Sequence, residues 1–397
     1  MAAKKNLIKI NNGQVITPDR IIPNGTVLVQ DGKITVVADH DVDLPGANIL
    51  DAGGRFISPG FIDIHVHGGG GHDFMDNTVE AFLEIAKLHA RFGTTAMYPT
   101  TLTGSTEDIV KTLETYEQAV PLNDSGAQLM GVHLEGPYFA MNQRGAQDPR
   151  YIRDPDPEEY EYIVSRSHSI KRWSAAPELK GAIPFAKYLK SKGILVSLAH
   201  TDAIYEEVIE GFEHGYTLAT HMYSGMSGVT RRNAYRYAGV IESVFLIDDM
   251  DVEVIADGVH LPAPLLKLIF KIKGPNRIAL ITDAMRAAGM PSGESVIGNI
   301  HMGLKVIVED GVSKLPDRTS FAGSVATADR LVRTMIHMAG VSLTDAIRMI
   351  TLTPARIMNI SDRKGSLTMG KDADIVIFDE NISIHTTMVK GKMIHQK

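Results

Sequence analysis

The stretch SPGFIDIHVHGGGGHDFMD, residues 58–76, places two histidines one residue apart, at the end of a short apolar run and before four glycines. In an extended strand residues i and i+2 share a face, so His65 and His67 project together while Ile64 and Val66 project the other way. Two imidazoles on one face can share a metal ion. An isolated pair of this kind is more often a pair of hydrogen-bonded polar residues, so the rest of the chain has to decide.

Seven further runs have the same strand character: TTAMYPTTL (94–102), AQLMGVHLE (127–135), SIKRWSAAPE (169–178), ILVSLAH (194–200), YTLATHMY (216–223), VEVIADGVH (252–260) and RIALITDA (277–284). Between several of them lie helical patterns. NTVEAFLEIAKLHARFG (77–93) has an N-cap candidate in Asn77 and a stop in Gly93, and GAIPFAKYLKSKG and DAIYEEVIEGFEHG carry i, i+3, i+4 apolar spacing. Eight strands joined by such crossovers predict an α/β fold, a TIM-type (β/α)₈ barrel, with residues 325–360 as helices that close it.

The two ends read differently. Residues 6–38 give short alternating runs with Asp31-Gly32 as a hairpin turn, and the last 30 residues repeat that style with Gly391 as a turn residue. Neither end alone has the apolar surface for a stable core, so residues 1–57 and 361–397 are expected to pair as one small β-sandwich domain. Residues 58–360 are then a catalytic barrel inserted into it.

Composition narrows the function. The net charge of −7 comes from mixed acids and bases with no basic tract, which argues against nucleic acid as a partner. No apolar run reaches the ~18 residues of a membrane span, and MAAKKNLIKINNG lacks a secretory core, so a cytoplasmic enzyme without a membrane partner is expected. The chain has no cysteine, so a metal site must be built from His, Asp or Glu.

The remaining candidates fall at the carboxyl ends of the predicted strands: Glu135 on the third, His200 on the fifth, His221 on the sixth, His260 on the seventh and Asp283 on the eighth. In a barrel those ends form one face, where active sites are found. Five of the fifteen histidines then converge with two carboxylates on one cleft. That distribution favours a metal site over scattered core histidines.

HVHGGGGHDFMD, HLEGPY (133–138), SLAHTDA (197–203), THMYSGMS (220–227), ADGVH (256–260), TDAM (282–285) and FAGS (321–324) together resemble the amidohydrolase superfamily, in order and through essentially the whole chain. The branch resembled carries HLEGP in place of a carboxylated lysine on the fourth strand, where this chain has only Lys171, near the start. The resemblance implies that Glu135, His200 and His221 hold the principal divalent cation, zinc or iron. His65 and His67 would add a second ion bridged by Glu135, and His133 would pack behind the ligands.

It further implies metal-dependent hydrolysis of the N-acetyl group of N-acetylglucosamine 6-phosphate to glucosamine 6-phosphate and acetate, a step of amino sugar catabolism. Asp283 would serve as base and then acid, and His260 would polarise the acetyl carbonyl. Arg232, beside Arg231, would reach the phosphate of this small-molecule substrate across a homodimer interface, its planar fork suiting phosphate. Gln147, Ala146, Ser224, Gly225, Phe321, Ala322 and Gly323 would contact the sugar. Relatives often carry Gly-Ala-His where this chain has Gly145-Ala146-Gln147, and Asn-Ala where it has Ser224-Gly225. These departures leave open another N-acetylhexosamine phosphate, such as the galacto epimer. A cyclic-amide hydrolase, or a non-catalytic assembly protein on the same scaffold, are the rival readings.

Overall fold

All eight barrel strands are present in the computed structural model, which describes residues 6–397 except for the side chain of Arg232. They are Phe61–Val66, Thr94–Thr101, Val132–Glu135, Ile170–Ala175, Leu195–Leu198, Tyr216–Ala219, Asp251–Ile255 and Ile278–Ile281. Each pairs in parallel with the next, from the first to the eighth. The ring is closed by backbone bonds just past the eighth strand. Asp283 N donates to the His65 carbonyl and His67 N to the Ala284 carbonyl, both at 2.9 Å. His65 and His67 are thus stitched directly to the Asp283–Ala284 segment.

Helices Val79–Ala90, Ala182–Ser191 and Tyr205–His214 occupy the stretches where apolar spacing placed them. The first starts one residue later than Asn77 would dictate. Asn77 has a left-handed backbone, φ 56°, and ends a preceding short helical turn, while extended Thr78 accepts from Ala81 N at 3.2 Å and caps the helix. Ala328–Thr334, Leu343–Ile350 and Leu352–Ile357 are the expected closing helices. Among the described residues no helix is long and apolar enough to cross a membrane.

Both ends of the chain contribute to one eight-stranded sheet. Its order runs Lys392–Gln396, Ile384–Val389, Ile375–Phe378, Phe56–Pro59, Leu7–Ile16, Ile21–Gln30 and Lys33–Ala38, with Asn48–Asp51 paired alongside Leu7–Ile16. Asp31 and Gly32, at φ 50° and 79°, make the expected tight turn. Ile10, Val15, Val27, Ile57, Ile375 and Met388 form its apolar core, separate from the larger one around the barrel.

One element was not anticipated. A three-stranded antiparallel sheet, Gly293–Ile297, Leu304–Glu309 and Val312–Lys314, follows the eighth barrel strand. Its inner face, Ile297, Val306 and Val308, packs on Met285 and Ala322. Arg286 ties it down: Nη1 donates to the Gly71 carbonyl at 2.7 Å, and Nη2 to Asp76 at 2.6 Å and to the Gly298 carbonyl at 2.8 Å. Arg286 is buried, so Arg286→Ala takes the cation from the Asp76 carboxylate and leaves it only the backbone N–H groups of Asp73 and Ile300. We expect a loss of about 3–5 kcal/mol in urea unfolding; a loss under about 1 kcal/mol would show that the strap is not what holds the sheet.

Candidate active site

The ends of the barrel strands are bent toward the cleft. His200, His221 and Asp283, each two residues past its strand, have left-handed backbones at φ 46°, 33° and 47°. All three side chains line one cleft. His65, His67 and Glu135 lie on or at the end of their strands and are buried.

These side chains meet. Glu135 Oε1 lies 2.9 Å from His221 Nε2, 3.4 Å from His200 Nε2 and 3.5 Å from His65 Nε2, while Oε2 lies 3.5 Å from His67 Nε2. Asp283 Oδ1 lies 3.1 Å from His67 Nε2 and 3.5 Å from His65 Nε2. Two overlapping triads with metal-ligand spacing result, His65–Glu135–His221 and His65–His67–Asp283. His200 joins the first through Glu135.

Whether a cation fits is decided by the other face of each ring. His65 Nδ1 donates to Glu253 Oε2 at 3.2 Å, His67 Nδ1 to the Thr100 carbonyl at 3.2 Å, His200 Nδ1 to the Gln143 carbonyl at 2.7 Å and His221 Nδ1 to the Ser224 carbonyl at 3.2 Å. Carbonyl and carboxylate oxygens only accept, so all four protons sit on Nδ1 and four Nε2 lone pairs converge on two carboxylates. Two of them, on His65 and His67, are 3.2 Å apart and would repel with nothing between them. Positive charge is required there, and an imidazole and carboxylate donor set without sulfur suits a divalent ion such as zinc or iron.

The electrostatics agree. Burial alone would depress the His67 imidazole, but its hydrogen bond to Asp283 and the charges of Glu135 and Asp283 push it up to about 9, so that without a cation a proton on Nε2 supplies the positive charge in its place. Burial would raise Glu135, yet His65, His200 and His221 hold it well below the usual carboxylate range. Both effects report anionic oxygen packed among imidazoles.

Above this floor opens a cleft of about 500 Å³, lined by His67, Glu135, His200, His221, His260 and Asp283. Of the residues expected to touch a sugar, Ala146, Gln147, Ser224, Gly225, Phe321 and Gly323 also line it, and Ala322 is buried behind in the cluster with Met285 and Ile297. Gln147 is already engaged: Nε2 donates to Glu135 Oε2 at 2.7 Å and Oε1 accepts from Thr103 N at 2.8 Å. His260 donates from Nδ1 to Asp257 Oδ2 at 2.8 Å, and its ring lies 4.6 Å from that of Phe321. Arg231 is exposed and Arg232 ends the short strand Thr230–Arg232, its side chain lying outside what is described. The glycines after His67 form a tight hairpin, Gly68–Gly69 against His72–Asp73. A Cβ on Gly68 would stand 2.3 Å from the His72 carbonyl oxygen, which is why the loop there tolerates no side chain.

Sequence reasoning passed over several partners. Thr100 and Asp257 hold site histidines, and Lys314 and Arg318, from the unanticipated sheet and the loop after it, reach the cleft wall. Arg172 and Glu253 lie fully buried inside the barrel, Arg172 Nη2 donating to Glu253 Oε2 at 3.0 Å. Burial would raise Glu253, but the Arg172 guanidinium and His65 bring it down to about 2. The signal was a charged residue in phase with inward positions of an apolar strand. Lys171, one residue before Arg172, is exposed and donates to the His168 carbonyl at 2.9 Å, so the fourth strand points no lysine at the site. His133 bonds Ser174 at 2.6 Å and Thr100 at 3.3 Å.

A barrel whose strand ends gather imidazoles and carboxylates around a polar cleft defines a metal-dependent hydrolase of the amidohydrolase type. The chain belongs to the Amidohydrolase family, whose sequence profile matches residues 56–394. It is 33% identical over 384 residues to the N-acetylglucosamine-6-phosphate deacetylase of Bacillus subtilis, covering 96% of this chain and 95% of that one. It is 30% identical over 381 residues to the N-acetylgalactosamine-6-phosphate deacetylase of Escherichia coli O157:H7, covering 96% and 97%. Among solved structures, an N-acetyl-D-glucosamine-6-phosphate deacetylase variant from Mycobacterium smegmatis, in complex with N-acetyl-D-glucosamine-6-phosphate, matches with a TM-score of 0.89 at 27% identity. That match covers 99% of this chain and 100% of the other.

Proposed function

We propose that this protein hydrolyses the N-acetyl group of N-acetylglucosamine 6-phosphate, releasing acetate and glucosamine 6-phosphate. The observation that carries this reading is the convergence of four Nε2 lone pairs with Glu135 and Asp283 at the floor of a cleft sized for a sugar phosphate. Its relatives of both names share that chemistry.

Glu135, His200 and His221 would hold the principal ion, with His65 and His67 available to a second. A divalent cation bound there supplies an activated water and a Lewis acid for the acetyl oxygen. Asp283, at the cleft wall beside His67, takes the proton from the attacking water and delivers it to the departing amine nitrogen as the C–N bond breaks. His260 faces the same cleft. Its ring, oriented by the Asp257 carboxylate, polarises the acetyl oxygen as negative charge develops. Zinc is the ion this donor set favours, with iron second.

The galacto epimer is kept as a second substrate reading because Gln147 and Ser224-Gly225 stand where a sugar ring would lie. Acetate release from both epimers, phosphorylated and not, with zinc or iron supplied alone, tests the proposal. No acetate from any N-acetylhexosamine 6-phosphate would overturn it. Arg232 is proposed as the phosphate contact, acting across a homodimer interface. Arg232→Ala is expected to raise KM for the phosphorylated substrate about tenfold or more, the cost of one charge-assisted contact, and to leave the unphosphorylated sugar unchanged. Equal effects on both would remove the assignment.

A further inference from the structure

Of the four histidines whose Nε2 atoms converge on the carboxylates, three are anchored at Nδ1 by backbone carbonyls, those of Thr100, Gln143 and Ser224. No side-chain substitution removes such an anchor. His65 is different: its Nδ1 is held by the Glu253 carboxylate, 3.2 Å away, from a strand that lies far along the sequence.

That carboxylate is itself immobilised. Arg172 grips both Glu253 oxygens through Nη1 and Nη2, and spends its remaining donors on Ser197 Oγ at 2.8 Å from Nε, Thr220 Oγ1 at 2.7 Å from Nη2 and the Ile64 carbonyl at 3.3 Å from Nη1. All five guanidinium N–H groups are used. Both residues are fully buried, in a barrel layer that branched aliphatic side chains would ordinarily fill. A buried ion pair is poor value as a stabiliser, since apolar residues of equal volume commonly serve as well or better. What the pair does have is a direct line to one ligand: Ile64 precedes His65, and Glu253 fixes the ring.

Resting on the metal reading of the site, we infer that the Arg172–Glu253 pair is a positioning device that locks His65 with Nδ1 protonated and Nε2 turned to the cation position it shares with His67 and Asp283. His65 Nε2 stands 3.2 Å from His67 Nε2 and 3.5 Å from Asp283 Oδ1, and a ring flipped or tilted by loss of Glu253 would lose both approaches. Glu253 Oε2 also lies 3.4 Å from the His221 backbone N, but the Nδ1 anchors that orient the His200 and His221 rings are backbone carbonyls the pair does not supply, so its hold on a ring is on His65.

The test is calorimetric titration of the metal-free full-length protein with Zn²⁺, comparing wild type, Glu253→Gln, His65→Ala and the two together. Glu253→Gln is expected to weaken Zn²⁺ uptake by about 10–100-fold, as loss of a carboxylate behind a ligating imidazole does elsewhere. In the His65→Ala background the same change should cost nothing further, because the two act through one contact. Since Glu253→Gln strands a buried guanidinium, Arg172→Gln with Glu253→Gln is measured alongside; it removes both charges and should show the same weakening. Zn²⁺ affinity unmoved by these changes, or lowered equally with and without His65, would overturn the inference while the metal reading stands. A wild-type chain that takes up neither Zn²⁺ nor Fe²⁺ would overturn the metal reading and this inference together.

Discussion

Asp283→Asn is expected to lower kcat for acetate release by about 10²–10⁴-fold, the range set by loss of a positioned general acid–base group, while the protein stays folded and keeps the principal metal at Glu135, His200 and His221. The carboxylate is placed for proton transfer: Oδ1 is 3.1 Å from His67 Nε2, at the wall of the cleft, and its backbone N is tied to the His65 carbonyl. Asparagine matches its size and tolerates the left-handed backbone at that position, so the geometry survives and only the titratable oxygen is lost. Turnover assayed beside elemental analysis of bound metal separates the roles. Retention of more than about a tenth of wild-type kcat with metal in place would refute proton transfer by Asp283.

Removing the cation should have an effect of similar size by another route. Dialysis against a strong chelator, or Glu135→Ala, is expected to cost several kcal/mol of transition-state stabilisation, about 10³-fold or more in kcat/KM. Glu135 is the hub, with four imidazole nitrogens within 3.5 Å, so its loss should be felt at every ligand position. Stability should fall as well, because an ion held at a thousand times its Kd contributes about 4 kcal/mol to the folded state. Zinc or iron added back should restore both activity and thermal midpoint to the chelated wild type, and neither to Glu135→Ala. A chelated protein that turns over at the wild-type rate would dispose of the metal mechanism.

The barrel was legible because its evidence is local. Each strand is a short apolar run, and Glu135, His200, His221 and Asp283 fall where such runs end, which is where the fold gathers its chemistry. The sheet at Gly293–Lys314 was not, since the barrel pattern calls for a helix after the eighth strand and the half-exposed alternation there reads as loop. The pairing of Arg172 with Glu253 was illegible for a different reason. They are 81 residues apart, and nothing near either one in sequence says that their strands face each other across the barrel interior. Asn77 shows the limit for caps: the left-handed turn that disqualified it belongs to the preceding segment, and its neighbour Thr78 caps the helix instead.

The bent strand ends at His200, His221 and Asp283 leave a mark on how this enzyme would respond to selection. Each holds a conformation disfavoured by roughly 1 kcal/mol or more for a residue with a side chain, and glycine would adopt it freely. A variant library of the metal-free chain sorted only for heat resistance would therefore drift toward Gly at 200 and 221 and Gly or Asn at 283, and its hardiest survivors would be catalytically dead. Breeding a tougher catalyst from this chain means screening for acetate release at every round and seeking robustness elsewhere in the molecule.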